Sequence, residues 1–156
     1  VRKLFVRESK DFLQKYFKKE LFFTDVEGKT KDEVLKNLCR KVEKEKGLPE
    51  TFTASVLKRE ELTPTDYGNL VALPHPERAF QERAFVAVAV LKEPIFWFRQ
   101  KVQVVFLTAI GREEDENLQQ FYEATTDLIL RPADVQNLIR HPDYDRLIQL
   151  LRRAEE

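Results

Sequence analysis

An α/β fold, a sheet covered by helices, is the architecture this chain predicts, on three observations. Two strongly apolar, β-branched runs stand in its middle, "RAFVAVAVL" and "KVQVVFLTAI", without helical periodicity. Segments with helical stripes and clear stop signals lie before, between and after the strand-like runs. The chain has 156 residues, of which 42% are hydrophobic and 35% charged, enough for one domain with a real core and a well-solvated surface.

The elements follow in order. In "ESKDFLQKYFKKE", Phe12, Leu13, Tyr16 and Phe17 recur at helical spacing, so a helix is expected from Ser9, a candidate cap, to Lys19. Leu21-Phe22-Phe23 is a short extended step. In "GKTKDEVLKNLCRKVEKEKGLP", Thr30 and Glu33 have capping-box spacing, Val34, Leu35, Leu38 and Val42 form a stripe, and Gly47 and Pro49 end it. "PETFTASVLKREEL" predicts a second helix with Phe52, Val56 and Leu57 inward. "TPTDYGN" is dense in turn formers and reads as a loop. A strand over Leu70–Leu73 ends at Pro74. The run "KVQVVFLTAI" is nearly all apolar and is expected to be central, while "IFWF" reads as a short strand or hairpin arm with Trp97 an amphipathic edge aromatic.

The segment "REEDENLQQFYEATTDLIL" opens with acidic residues suited to a helix N-terminus, and Leu118, Phe121, Tyr122, Thr125, Leu128 and Ile129 make its stripe. Pro132 starts the first of two terminal helices, "PADVQNLIRH" and "DYDRLIQLLRRAEE".

Composition excludes several functions. Lys plus Arg and Asp plus Glu both number 27, so the basic excess of a nucleic-acid binder is missing and direct nucleic-acid contact is not expected. No apolar run approaches the ~20 residues of a membrane span, and no secretory leader is expected. The single cysteine, Cys39, has no disulfide partner and no zinc-ligand companions; it reads as a buried structural thiol, with a reactive one the alternative. The chain fits a reducing cytoplasm. It has no methionine and begins at Val1, which suggests a domain of a longer protein.

The candidate chemistry centres on "VALPHPER". Pro74 and Pro76 stiffen the backbone around His75, just past a strand end, where α/β sheets tend to place ligand chemistry. An imidazole is nucleophilic near neutrality, although a solvent-facing turn histidine is the plain alternative. Upstream stand Arg59, a candidate for paired donation to phosphate oxygens, and a loop carrying Thr63, Thr65, Tyr67 and Gly68. Arg59 alone, beside Glu60 and Glu61, would read as a solvated surface charge.

Taken together, "VLKREELTPTDYGNLVALPHP" resembles the active-site segment of the fructose/mannitol-class (type 2) enzyme IIA domains of the bacterial phosphotransferase system. An Arg-Glu pair, a Thr/Gly loop and an apolar run ending in Pro-His keep the family's order and spacing from Val56 to Pro76. "LFFTDVEGKTKDEVLKNLC" before it and "VQVVFLTAIGREEDENLQQF" after it extend the resemblance to roughly Leu21–Leu151. The resemblance implies a three-layer sandwich with a mixed sheet between helices. It makes residues 21–156 the enzyme IIA domain and residues 1–20 a linker helix. It makes His75 the phosphoacceptor and Arg59 the group that steadies the phosphoryl charge. Thr63, Thr65, Gly68 and Asn117 are weaker phosphoryl-binding candidates. The implied donor is the phosphohistidine of HPr.

One departure is informative. Many transport members carry a second histidine near the start of the helix after the central strand, and here that position is Asn117; the other histidine, His141, reads as a helix-end surface residue. Asn117 can donate a hydrogen bond but cannot relay a proton as an imidazole can. With the missing methionine and the leading helix, this favours the regulatory domain of a sugar-operon activator or antiterminator, in contact with the other domains of its parent. The alternatives are a transport component passing phosphate to a cysteine of an enzyme IIB domain, and an interaction module that takes no phosphate. In the first two readings the domain is a phosphoryl carrier rather than a stand-alone multiple-turnover enzyme. No metal or cofactor is expected, because no ligand cluster and no GxxxxGK[ST] loop is present.

Overall fold

Side-chain alternation in the two long strands sets the architecture. A computed structural model describes residues 13–113, 115 and 117–153. Its strands are β1 (Phe17–Phe23), β2 (Asp66–Gly68), β3 (Val71–Ala72), β4 (Phe85–Phe96) and β5 (Lys101–Ala109), in the order β1-β4-β5-β3-β2. The sheet is mixed: β1 runs parallel to β4 and β3 parallel to β5, while the β4–β5 and β2–β3 pairs are antiparallel. β5 is central, as its apolar sequence predicts.

Successive residues of a strand point to opposite faces, so two cores form. Val86, Val88, Val90, Val104 and Phe106 face one way and pack with residues of α1 (Leu13–Tyr16), α4 (Leu118–Ile129), α5 (Pro132–Arg140) and α6 (Tyr144–Arg153). Phe85, Ala87, Ala89, Val105 and Leu107 face the other way and meet α2 (Lys31–Lys46) and α3 (Thr51–Leu62). This is the expected three-layer arrangement.

Local signals place the helix ends. Thr30 caps α2 by accepting from the Glu33 amide at 3.2 Å. Glu33 closes back onto the Lys29 amide at 2.9 Å, one residue earlier than a standard capping box. Gly47 ends α2 in the left-handed region at φ 66°, and the Leu48 amide donates to the Glu43 carbonyl. Cys39 is buried in α2, and burial together with nearby Glu43 pushes its thiol pKa well up, as suits a structural thiol. Pro132 occupies the first turn of α5.

Several expectations are corrected. The helix expected over Ser9–Lys19 is helical only at Leu13–Tyr16 among the described residues; Phe17 already begins β1, beside Val86. Two lysines and a glutamate follow Phe17, and all three are exposed, as an edge strand allows. Leu13, Tyr16 and Phe17 are core residues, so part of the segment before position 21 packs with the sheet. The "TPTDYGN" loop contains β2. β4 continues through "KEPIF" by a register shift between Val90 and Ile95. There the Gln103 side chain donates from Nε2 to the Leu91 carbonyl at 2.9 Å. Trp97 is buried rather than an edge aromatic, Tyr122 is 39% exposed, and α4 starts at Leu118; the acidic run expected at its start lies partly outside the described residues.

Candidate functional site

The site is built where β3 runs out. Its two residues pair in parallel with Val104 and Val105, and the chain then enters Leu73-Pro74-His75-Pro76. Both prolines are buried and His75 is half-buried between them. Proline lacks an N–H, so this segment has few main-chain donors, and each one matters. The Leu73 amide donates to the Thr65 carbonyl at 3.0 Å, the Thr108 amide donates to the Pro74 carbonyl at 3.0 Å, and the Glu77 amide donates to the Ser55 hydroxyl at 2.7 Å. The histidine backbone is thereby tied to β5 on one side and to α3 on the other.

Around His75 lies a cavity of about 240 Å³, lined by Leu73, Thr108 and Ile110 and by Phe121, Tyr122 and Thr125 of α4. Ile110 and Tyr122 are exposed large apolar residues at this cavity. The imidazole Nδ1 faces the Leu73 carbonyl at 3.4 Å. That contact suits the tautomer with hydrogen on Nδ1, which leaves Nε2 with its lone pair.

Arg59 lies in the last turn of α3, one helical turn after Ser55 and so on the same face. Its Nη1 donates to the Thr63 carbonyl at 2.8 Å, and the Thr63 amide donates back to the Arg59 carbonyl at 3.3 Å. A guanidinium has five donor N–H groups, and Arg59 forms no ion pair among the described residues, so it retains donors for an anion.

The remaining candidates divide. Thr63 is exposed at the end of α3, beside Arg59. The Thr65 hydroxyl is bonded to the buried Glu60 carboxylate at 2.8 Å, so its one proton is committed there. Gly68 pairs with Val71, at the end of β3 away from His75, and its φ of 130° serves the turn into Asn69. Asn117 precedes α4 one turn before Phe121, its amide donating to Asp115 Oδ1 at 2.9 Å; it does not line the His75 cavity. His141 caps the end of α5 and is exposed, as expected.

Sequence reasoning missed three contributors: Ser55, Glu60 and Trp97. Glu60 is 1% exposed, and its Oε2 accepts from the Thr65 amide at 2.6 Å and from the Trp97 indole at 2.8 Å. The one available signal was a glutamate on the inward side of a helix end. Among the described residues no group of three or more His, Cys, Asp or Glu side chains is placed to hold a metal ion, and no helix is long and apolar enough to cross a membrane.

Comparison with known proteins gives a consistent picture. The profile of the family "Phosphoenolpyruvate-dependent sugar phosphotransferase system, EIIA 2" matches residues 15–154. The chain is 36% identical over 140 residues to the "Probable licABCH operon regulator" of Bacillus subtilis, covering 90% of this chain and 22% of that protein. It is 27% identical over 120 residues to "Transcriptional regulator ManR" of the same organism, covering 77% of this chain and 18% of the relative. The chain thus spans about a fifth of the length of these relatives. Among solved structures, the fold is similar to that of nitrogen regulatory protein IIA-Ntr from Neisseria meningitidis, with a TM-score of 0.74 at 18% identity over 90% of this chain and 99% of that one. The crystal structure of IIA mannitol from Escherichia coli gives a TM-score of 0.68 at 18% identity, covering 84% of this chain and 96% of that one. With the mixed sheet, the three layers and the matched span in agreement, the chain belongs to the EIIA type 2 family of the phosphoenolpyruvate-dependent sugar phosphotransferase system.

Proposed function

We propose that this domain accepts a phosphoryl group on His75 from the phosphohistidine of HPr, and does so as the regulatory domain of a sugar-operon transcriptional regulator. The observation that carries the reading is the held imidazole: its backbone is bonded on both sides, Nδ1 faces a carbonyl, and Nε2 is left for attack. The similarity to segments of two regulators supports the setting.

The chemistry is in-line transfer between imidazoles. The Nε2 lone pair of His75 forms the new N–P bond as the N–P bond of the donor breaks and its electron pair returns to the donor ring. The proton on Nδ1 stays in place, held toward the Leu73 carbonyl. Such a transfer depends on positioning and charge stabilisation more than on covalent help. Arg59 supplies paired donors for the equatorial oxygens, and the Thr63 carbonyl, which accepts from its Nη1, holds it in place. The exposed apolar rim of Ile110 and Tyr122 offers the partner a surface beside the reacting nitrogen. In the regulator, the added charge resets contacts with the parent's other domains. A cytoplasmic setting follows from the same reading.

The test is intact-mass spectrometry at neutral to alkaline pH after incubation with enzyme I, HPr and phosphoenolpyruvate. One phosphate on the wild type and none on His75→Ala is expected, with Arg59→Ala labelled at least tenfold more slowly. An unlabelled wild type, under conditions that label a known acceptor, refutes phosphoryl acceptance and leaves an interaction module. Ready passage of the label to an enzyme IIB cysteine would move the domain to the transport class.

A further inference from the structure

Glu60 carries a cost that its position must justify. A carboxylate 1% exposed is expensive to bury unless hydrogen-bonded, and replacing such a group by a well-packed apolar one is often neutral or better for stability. Its three donors are the Thr65 amide and hydroxyl and the Trp97 indole N–H, none of them a cation. They come from two separate places: the loop between α3 and β2, and the turn between β4 and β5.

From these donors a continuous hydrogen-bonded path runs to the site. Trp97 donates to Glu60 at 2.8 Å, Glu60 accepts the Thr65 amide at 2.6 Å, and the Thr65 carbonyl accepts the Leu73 amide at 3.0 Å. The Leu73 carbonyl in turn faces His75 Nδ1 at 3.4 Å. On the other branch, Thr63, two residues before Thr65, presents the carbonyl that holds Arg59 Nη1 at 2.8 Å. A second carboxylate fixes the same loop to the same turn: Asp66 Oδ2 accepts the Arg99 amide at 2.8 Å and the Gln100 amide at 3.2 Å.

We infer that Glu60, locked by Trp97, is a positioning residue for phosphoryl transfer, setting both the carbonyl that orients His75 and the carbonyl that orients Arg59. This rests on the phosphoacceptor reading. Glu60 touches neither reacting group; it acts through Thr65 and the loop. Glutamine can keep the contacts, its oxygen accepting the Thr65 amide and the Trp97 indole while its NH2 donates to the Thr65 hydroxyl, whereas leucine fills the space and accepts none of them, so the loop must shift. Misplacement of about 1 Å costs up to ~100-fold in rate, and a ten- to hundredfold loss is expected here.

The experiment is single-turnover labelling by intact mass over a range of phospho-HPr concentrations, for wild type, Glu60→Leu and Trp97→Phe. Glu60→Leu should lower the maximal rate at least tenfold while the half-saturating concentration stays within twofold, because the docking rim is untouched. Trp97→Phe removes the indole donor together with part of the buried ring, and should lower the maximal rate three- to tenfold. Circular dichroism of each variant confirms the fold; should Glu60→Leu fail to fold, Trp97→Phe decides alone. Maximal rates within twofold of wild type in the folded variants, even with lowered thermal stability, overturn the positioning role and leave the phosphoacceptor reading standing. A wild type that takes no label overturns both.

Discussion

Ser55→Ala tests whether α3 holds the histidine segment. The Ser55 hydroxyl, on a side chain that is nearly buried, accepts the Glu77 amide at 2.7 Å. Leaving that amide without its partner costs about 1.5 kcal/mol, within the usual range for a part-buried donor. Alanine returns about 0.5 kcal/mol through its better helix propensity, so the net loss is ~1 kcal/mol. With an unfolding entropy of about 2.1 cal/mol/K per residue, the 156-residue chain has ~0.33 kcal/mol/K in all. The melting temperature should therefore fall by about 3 °C. Locally, the same ~1 kcal/mol speeds opening at Glu77 about fivefold, which amide hydrogen exchange reads directly. Calorimetry and exchange on the folded variant are the assays. An unchanged melting temperature with unchanged Glu77 exchange would refute the anchor. A loss above about 10 °C would show that Ser55 acts by packing instead.

Three further outcomes are expected. Phe121→Ala should destabilise by about 3–5 kcal/mol, because its fully buried ring stacks on Tyr16 at 4.8 Å and also contacts Phe17; denaturant midpoints measure this, and a loss under ~1 kcal/mol contradicts the packing. Gly111→Ala should cost about 2–3 kcal/mol, since a Cβ there meets the Glu82 carbonyl oxygen at 2.2 Å, whereas Gly47→Ala meets nothing and should cost only the ~1 kcal/mol of its left-handed backbone; urea unfolding that reverses this order speaks against the close approach. Stability should fall as pH rises above about 10, because burial raises the phenol pKa values of Tyr16, Tyr122 and Tyr144. The unfolded chain then releases protons before the native one does, and a melting temperature flat from pH 9 to 11 would contradict this.

Periodicity made the layers legible. Val86, Val88 and Val90 alternate with Phe85, Ala87 and Ala89, and a strand buried on both faces has to be covered twice. The helix ends at Thr30, Gly47 and Pro132 were legible because a cap is a contact between near neighbours. The start of β1 was not. Phe12, Leu13, Tyr16 and Phe17 satisfy a helical period, but Phe17 is drawn into parallel pairing beside Val86, a partner far away in sequence. Tertiary pairing there outweighs a local pattern only one turn long. Trp97 was misread for a related reason: its burial depends on an acceptor that lies on α3.

The same physics separates what could be read of the site from what could not. His75 stood out because two flanking prolines restrict its backbone whatever the rest of the chain does. Arg59 gained meaning only through order and spacing relative to it. Ser55, Glu60 and Trp97 carry no such local mark. Ser55 is one hydroxyl in a helix, and its bond spans 22 residues; the Glu60–Trp97 bond spans 37. Gly68 and Thr65 are a different case: both sit in the loop that joins Arg59 to His75, and nearness in sequence made them candidates for a phosphoryl group. In the fold, β3 carries His75 away from Gly68, and Glu60 takes the Thr65 proton. Chemistry-bearing side chains are thus readable where the backbone alone constrains them, while the residues that hold them are fixed by long-range pairs. Substitutions at Ser55 and Glu60 therefore probe the site more sharply than further substitutions in the loop that spells the motif.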